Sequence, residues 1–419
     1  RVHVFLRRMS AKRPLSGIRV LELSQFIAGG WTGALLAYWG ADVIKVEPPG
    51  LGDGIRKWRK LDETGTSLWW YSIARNKKSL AVDLRQDEGR DIIRQLVAKC
   101  DVLVENFKPG TLEKWHMSPT TLRESHPSLI VARISGYGQT GPYRSKPGFA
   151  SVCEAFGGFR YVNGMPGGPP IRPNLSIGDT LAAQNAALGV LLALLSRQKA
   201  SATGGVGEGQ DVDCAIYESV FGLMEACVPE YDRLGEVREP AGTTVTGIVP
   251  TGTYPCKDGH WVVIGANGDS LFKRLMVAAG RHDLADDPRL ASNEGRVTHQ
   301  EEVDGAIAAW TSTLASHEVQ QILEAGLVSV PVGTIYSVRD MCSDPHYIAR
   351  GMFEQVHTGP TQEPLKIPAI PPKLTKTPGQ TNWAGPRLGE HTKEILAGLL
   401  GMSESGLSDL CEKRIIQAE

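Results

Sequence analysis

Short apolar segments alternate with helical ones through the first 135 residues, and this alternation limits the possible folds more than any other feature of the chain. Four segments, at 18–24, 41–47, 101–107 and 129–135, each predict a buried strand, with helical patterns between them. Strands that alternate with helices pair in parallel, and the helices cover both faces of the sheet. We therefore expect an α/β protein whose large domain is a Rossmann-like, doubly wound sheet.

The pattern changes after the long apolar helix that ends near residue 198, where a glycine-rich stretch follows. The letters "KDG" at Lys257–Gly259 predict the turn of a hairpin, so a smaller α+β domain is expected around it. The predicted division is a basic arm at 1–13, a large domain at 14–215, a linker at 216–244, a small domain at 245–345, and a return segment at 346–419 that completes the large domain.

The charges and cysteines exclude several classes of protein. Lys and Arg number 45 against 46 Asp and Glu, so no overall charge predicts a nucleic-acid partner. No uninterrupted apolar stretch reaches the length of a membrane span, so we expect no membrane. The seven cysteines are scattered without a C-x-x-C pair, which favours a reducing compartment and predicts no metal site.

The first residues are basic and contain no acid before Glu22. A basic, acid-free and partly apolar leader is typical of a mitochondrial transit peptide, and the alternative is a solvated basic arm. The sequence thus predicts a mitochondrial matrix protein, with the cytoplasm as the other possibility. The basic residues are Arg1, Arg7, Arg8, Lys12 and Arg13.

The segment "NLSIGDTLAAQNAALGVLLALLSRQ" at 174–198 predicts a long helix with almost no polar face. Such a helix is expected to be buried in a large core. Asp179 stands near its beginning, directly after Gly178. An aspartate there is commonly the N-cap of the helix, and it can also be a fixed, charged nucleophile. Both readings remain open at this point.

The letters "GYGQTG" at 136–141 match the G-x-G-x-x-G pattern of dinucleotide-binding proteins. That pattern needs a helix directly after it, in the first strand–helix turn of the sheet. Pro142 and Pro147 follow here instead, and the segment comes after the fourth predicted strand. We therefore expect no NAD or FAD site.

Seven segments together resemble one family, the class III CoA-transferases, over about residues 14–400. Within the family the chain is most similar to mitochondrial enzymes that move CoA between succinate and another dicarboxylate. "RNKKS", "GYGQTGP" and "GIVP" carry this narrower resemblance. The seven segments are "PLSGIRVLELS", "GADVIKVEPPGLGD", "RNKKSLAVDL", "DVLVENFKPGTLEK", "ISGYGQTGP", "IGDTLAAQNAALGVLLALLSRQ" and "RLGEHTKEIL".

The resemblance implies that Asp179 is a catalytic nucleophile that carries CoA as an aspartyl thioester, with acyl-CoA and a dicarboxylic acid such as glutarate or itaconate as substrates. It also implies an interlocked homodimer of ring-like chains and no metal or redox cofactor. Two positions differ from bases that are found in other members, Pro48 and Ser135. The residues expected to bind CoA are Phe26, Ile27, Ala28, Arg75, Lys77, Asn106, Lys114 and Tyr137.

The acid substrate is expected to meet a second set of residues, which consists of Arg172, Gly247 and Ile248. A short diacid needs a positive partner for its far carboxylate, because burying an unpaired carboxylate is costly. Arg172 lies between two prolines seven positions before Asp179, and a guanidinium can bind a carboxylate through two hydrogen bonds. We therefore expect Arg172 to bind the diacid. The alternative is a surface arginine that packs on the prolines.

Two alternative functions remain open. An α-methylacyl-CoA racemase of the same fold would need proton-transfer groups at the positions of Phe149–Ala150 and Gly268 in this chain, and neither position has one. A non-catalytic CoA-binding protein is expected to lack the nucleophile, whereas this chain has Asp179.

Overall fold

The computed structural model describes residues 13–205, 207–359 and 361–418. Apart from Arg13, the predicted basic arm lies outside these residues. The strands are β1 Arg19–Glu22, β2 Asp42–Glu47, β3 Lys77–Val82, β4 Val102–Glu105, β5 Ile130–Ser135, β6 Asp211–Ala215, β7 Thr251–Pro255, β8 Trp261–Gly265, β9 Val332–Thr334, β10 Phe353–Thr358, β11 Glu363–Pro368 and β12 Ile416–Gln417.

The α-helices fall between these strands, and some of them cover the main sheet on both sides. They are α1 Phe26–Tyr38, α2 Leu68–Ile73, α3 Asp87–Val97, α4 Thr111–Lys114, α5 Pro119–Ser125, α6 Ala150–Phe156, α7 Phe159–Val162, α8 Ile177–Ala202, α9 Ile216–Phe221, α10 Cys227–Leu234, α11 Asp269–Ala278, α12 His282–Ala285, α13 Asn293–Thr298, α14 Gln300–Thr311, α15 Ser316–Glu324, α16 Val338–Ser343, α17 Pro345–Ala349, α18 Thr392–Leu400 and α19 Glu404–Glu412.

The main sheet has the strand order β12-β3-β2-β1-β4-β5-β6. Its strands pair in parallel except β12, which runs antiparallel to β3. In the register, Val20 of β1 pairs with Val43 of β2 on one side and with Val102 of β4 on the other. The four strands that the sequence predicted are all present, and the predicted doubly wound sheet is confirmed.

The sheet separates two apolar cores, and its central strands contribute side chains to both. Leu21 and Leu103 point toward the core that contains α3, α18 and α19. Val20 and Val102 point toward the opposite core, which contains α1 and α8. Successive side chains of a strand point to opposite faces, so a strand buried on both faces is apolar throughout. This explains why the sequence showed continuous apolar runs there.

Only one side of α8 is buried. Its small side chains, such as Ala182 and Ala186, are fully buried under the sheet, whereas Leu188 is 54% and Leu192 is 58% exposed. The expectation that this helix is buried all round is therefore wrong for the single chain. By length and composition α8 could also cross a membrane, but its alanine side packs within the protein core instead.

The described residues divide into two compact units. The first takes those within Arg1–Phe159, Pro173–Met224 and Ala349–Glu419, and the second takes Arg160–Arg172 and Glu225–Ile348. The stretch 216–244, which the sequence assigned to a linker, contains the helices α9 and α10.

The second unit has the predicted hairpin at its centre. Strands β7 and β8 pair antiparallel around the "KDG" turn, and β9 adds a third strand. Gly259 has a φ of +77°, a left-handed conformation that glycine adopts without steric cost. The hairpin prediction is therefore confirmed.

A fully buried arginine joins the loops of the second unit. Arg296 donates hydrogen bonds to the carbonyl oxygens of Val249, Leu290 and Asn267, at 2.9, 3.0 and 2.6 Å, and to a carboxylate oxygen of Asp269 at 2.8 Å. Buried carbonyl groups need a hydrogen-bond donor, and the guanidinium of Arg296 is the donor for carbonyls in three separate loop segments.

We expect Arg296→Met to destabilise the second unit by about 3–5 kcal/mol, because it leaves several buried acceptors without donors. The matched control is Arg281→Met, which removes a surface ion pair with Asp283 and should cost less than about 1 kcal/mol. Denaturant unfolding with hydrogen exchange resolved by peptide measures both. Equal losses of protection in the two variants would contradict the assigned role of Arg296.

Candidate active site

The loops after β1 and β4 meet where the strand order reverses. In an open α/β sheet, ligands bind at this switch point, beyond the carboxyl ends of the strands. Asn106, after β4, accepts a hydrogen bond from the backbone N–H of Gln25 at 2.8 Å and donates one to the carbonyl oxygen of Gln25 at 2.6 Å. This paired contact fixes the loop that leads into α1. Asn106, a predicted CoA ligand, therefore has its side-chain amide bound to the protein backbone.

A buried lysine lies beneath this loop. The ammonium group of Lys45 contacts carboxylate oxygens of Glu22 at 3.0 Å and Asp53 at 2.9 Å, and it donates to the carbonyl oxygen of Ser24 at 2.7 Å. Burial lowers the pKa of Lys45, but the carboxylates of Asp53 and Glu22 outweigh it and raise the pKa above its usual value. The lysine is therefore charged and binds three segments of the chain together.

The backbone of Phe26, at the start of α1, has a φ of +62°. A residue other than glycine adopts this left-handed conformation only when surrounding contacts hold it there, at a cost of about 1–3 kcal/mol. Both carboxylate oxygens of Asp53 accept the N–H of Phe26 at 3.2 Å, and its ring stacks on Trp58 at 4.9 Å between centroids. These contacts orient the first turn of α1, which contains the predicted CoA-binding residues Ile27 and Ala28.

Asp179 lies in the first turn of α8, as its third residue. The N-cap is Ser176, so the reading of Asp179 as the cap is wrong. The backbone N–H of Gly178 donates to a carboxylate oxygen of Glu154 at 3.1 Å, and Glu154 is fully buried. A side chain at position 178 would approach Glu154 and Ile216 to 3.2 Å. The helix start that carries Asp179 is therefore packed tightly and fixed in place.

A buried thiol, Cys153, interacts electrostatically with Asp179. Burial, and after it the negative charge of Asp179, raises the pKa of Cys153 to about 11. At neutral pH a thiol with this pKa is protonated, and the protonated form is a poor nucleophile. Cys153 is therefore a poor nucleophile at neutral pH.

An aromatic cluster lies beside Cys153. Tyr137 contacts the rings of Tyr143, Phe156 and Tyr217, with centroid distances of 6.1, 5.4 and 6.0 Å. Phe156 is 51% exposed, so the cluster presents an apolar surface to solvent. The predicted CoA ligand Tyr137 belongs to this cluster and, like Cys153, lies against Gly148.

Two of the three predicted CoA-binding cations are buried. Arg75 is bound by the carbonyls of Ser72 and Pro368 and forms an ion pair with Glu354. Lys77 contacts a carboxylate oxygen of Glu22 at 2.8 Å and the carbonyl of Gly30 at 2.5 Å. Both side chains are at most 1% exposed, so neither can contact a phosphate of CoA directly in this conformation. Lys114, at the end of α4, is exposed.

The three residues that were expected to meet the acid substrate lie in the second unit. Arg172 is exposed. Gly247 has a φ of +77°, and its carbonyl accepts a hydrogen bond from the side chain of Asn293 at 2.9 Å. Ile248 is 40% exposed. Their predicted roles remain predictions.

Three positions at which the resemblance led us to look for a base or a proton-transfer group have none. Ser135 accepts a hydrogen bond from the N–H of Gly138 at 2.9 Å and closes the turn after β5. Phe149 is the N-cap of α6 and Gly268 that of α11, and neither side chain can transfer a proton. Among the described residues no three His, Cys, Asp or Glu side chains converge as metal ligands would.

Sequence reasoning missed Asp53 and Glu154 as residues that shape this site. Asp53 stands between glycines in "GLGDG", which indicates a turn but not its buried contact with Phe26. Glu154 has no local signal at all, because its role depends on a helix start 24 residues away.

The fold and the site together define an α/β protein of the kind that binds ligands at the switch point of its sheet. The model of CoA-transferase family III matches residues 15–392 of the chain. The chain therefore belongs to this family and is a class III CoA-transferase.

Two relatives and one solved structure give the extent of the similarity. The succinyl-CoA–D-citramalate CoA-transferase of Chloroflexus aurantiacus is 48% identical, with 96% of this chain and 98% of the relative covered. The beta subunit of the succinyl-CoA–L-malate CoA-transferase of the same organism is 39% identical, with the same coverage. The crystal structure of a CaiB/BaiF family protein from Brucella suis is 30% identical, with a TM-score of 0.79, and 93% of this chain and all of that chain are covered.

We expect Asn106→Ala to lower kcat/KM for an acyl-CoA donor at least tenfold, because the loop before α1 loses both of its hydrogen bonds with Asn106. A tenfold loss corresponds to about 1.4 kcal/mol of transition-state stabilisation. Asn106→Asp is the control, since it keeps the acceptor for Gln25 and should retain more activity. Steady-state kinetics measure kcat/KM for each variant, and a melting curve shows whether the variant is folded. A folded Asn106→Ala protein with normal kcat/KM would show that the contact does not position the loop.

Proposed function

We propose that this protein transfers CoA from succinyl-CoA to a dicarboxylic acid through an aspartyl-CoA thioester on Asp179. The observation that carries the proposal is the placement of Asp179 in a rigid first turn of α8, beside a thiol that is protonated at neutral pH. The named activities of the two relatives supply the donor and the class of acceptor.

The proposed reaction begins when a carboxylate oxygen of Asp179 attacks the thioester carbonyl of succinyl-CoA. The C–S bond breaks, CoA leaves as a thiolate, and a mixed anhydride remains. The thiolate then attacks the side-chain carbonyl of Asp179, which releases succinate and leaves the aspartyl-CoA thioester. An acceptor carboxylate repeats these steps in reverse and leaves as its CoA thioester. Covalent catalysis of this kind divides one difficult exchange into easier steps.

The thioester is already activated, so these steps need no metal or redox cofactor. Negative charge develops on the carbonyl oxygen during each attack, and backbone N–H groups stabilise such charge. The first turn of α1 has no side-chain cap and is oriented by Asp53 and Asn106. We assign its N–H groups at Ile27 and Ala28 to the thioester oxygen.

The proposed acceptor is a dicarboxylate of four to six carbons. D-Citramalate and L-malate appear in the names of the two relatives, and both are hydroxylated diacids. Glutarate and itaconate are the acceptors that the sequence resemblance favours. All four share the distal carboxylate, which is the feature that a selective site must bind.

The proposed assembly is a homodimer, which the sequence resemblance predicts as interlocked. The exposed leucines of α8 support this, because a row of large apolar side chains on one helix normally lies against another surface. We also propose that the basic arm directs the protein to the mitochondrial matrix, as its composition favours. The exposed leucines are Leu188, Leu191, Leu192 and Leu195.

We expect Asp179→Ala to abolish CoA transfer, because no other nucleophile replaces the carboxylate. The fold should persist, since a charge in the first helical turn contributes only about 0.3–1 kcal/mol. Transfer from succinyl-CoA to each acid and binding of free CoA measure the two expectations. More than a few per cent of the normal transfer rate in the folded variant would refute the nucleophile assignment.

The covalent intermediate gives an independent test. Incubation of the protein with succinyl-CoA and no acceptor should add CoA to the peptide that carries Asp179, and hydroxylamine should release it. Peptide mass spectrometry detects the adduct, and the Asp179→Ala protein is the control. An active enzyme without any adduct would contradict the two-stage mechanism.

We expect an acceptor screen with succinyl-CoA to show transfer to diacids of four to six carbons and little transfer to monoacids. The panel should hold malate, citramalate, glutarate, itaconate and butyrate, with products read by mass spectrometry. A racemase would instead exchange the α-proton of an acyl-CoA for deuterium in D₂O. Exchange without transfer would replace the proposed function with that alternative.

A further inference from the structure

A cavity of about 440 Å³ opens beside the first turn of α8 in the first unit. Its walls are largely apolar side chains, together with two hydroxyl groups and one guanidinium. Ser176, Ile177 and Thr180 line it, and they belong to the same turn as Asp179. A diacid of four to six carbons is much smaller than this volume. The lining residues are Arg59, Trp69, Leu175, Ser176, Ile177, Thr180 and Leu181.

Arg59 is the only ionisable residue among those that line the cavity. Its guanidinium lies over the ring of Trp69, 4.7 Å from the centroid. No carboxylate of the described residues is paired with it, whereas most other arginines of this unit have such a partner. Stacking on an aromatic ring orients the guanidinium plane and leaves its edge N–H donors available.

The backbone of Arg59 supports a role beyond surface charge. Its φ is +60°, a left-handed conformation that is costly for a residue other than glycine. The preceding residue, Trp58, stacks on Phe26 at the start of α1. The residue next to Arg59 in the chain therefore contacts the first turn of α1, to which we assign the thioester oxygen.

We propose that Arg59 binds the distal carboxylate of the dicarboxylate, and that the cavity beside α8 holds its carbon chain. This inference rests on the proposed function and names the residue that selects diacids over monoacids. The apolar walls contact the methylene groups, and the hydroxyl of Ser176 is a second donor. A charge-assisted, two-bond contact with a guanidinium is among the strongest that a carboxylate forms in a protein. The proposal gives Arg59 the role that the sequence analysis expected for Arg172, and the test below compares the two residues.

The test compares kcat/KM for glutarate and butyrate in four proteins, namely wild type, Arg59→Gln, Arg172→Gln and Lys60→Gln. Lys60 is the matched control, because it is an exposed cation next to Arg59 that does not line the cavity. Arg59→Gln should lower kcat/KM for glutarate about ten- to a hundredfold and change that for butyrate less than about threefold. The other two variants should resemble wild type for both acids.

Direct binding gives a readout that does not depend on turnover. Glutarate should bind the double variant Asp179→Ala, Arg59→Gln at least tenfold more weakly than it binds the single variant Asp179→Ala. The Kd of free CoA should be the same for both proteins. Equal losses for glutarate and butyrate, a selective loss in Arg172→Gln instead, or weaker CoA binding would each overturn the assignment. A wild-type enzyme that transfers CoA to no diacid would refute the proposed function itself. Normal diacid transfer by Arg59→Gln would refute only this inference.

Discussion

The ammonium group of Lys45 is the contact on which the switch-point site depends. It joins Glu22 at the end of β1 to Asp53 in the loop after β2, and Asp53 in turn holds the N–H of Phe26. All three charged side chains are at most 2% exposed. Removing one member of such a group leaves an unpaired charge without water, which typically costs about 3–5 kcal/mol. The loop conformation is therefore coupled to the stability of the sheet.

This coupling explains a left-handed phenylalanine at the start of a helix. The cost of the φ of Phe26 is offset by two carboxylate oxygens and a stacked tryptophan. The N-cap of α1, Gln25, makes no side-chain hydrogen bond to this turn, so the Asp53 carboxylate takes that place at Phe26. Asp53 belongs to the segment after β2 that continues to Trp58 and Arg59, and the ring of Trp58 stacks on Phe26. This segment therefore contacts the proposed thioester position and lines the proposed diacid cavity.

Burial determines the state of the thiol near the helix start. Burial, and after it the negative charge of Asp179, raises the pKa of Cys153, so the thiol keeps its proton at neutral pH. Burial also explains why two of the cations that the resemblance assigned to CoA are not available to its phosphates. Arg75 and Lys77 stand in the matching segments, but both bind groups of their own chain beneath the surface.

The sequence by itself determined the alternation of strands and helices, the hairpin around Gly259, and the acid near the start of the long helix. These features depend on spacings of two to four residues, which a local pattern records. It did not reveal β12, a strand of two residues that pairs with β3, or the helix start at Ile177. Only the tertiary structure decided which polar groups meet inside the protein, because Gln25 and Asn106 lie 81 residues apart and Lys45 and Glu22 lie 23 apart. Contacts at such separations depend on the packing of the whole sheet, which no local pattern encodes.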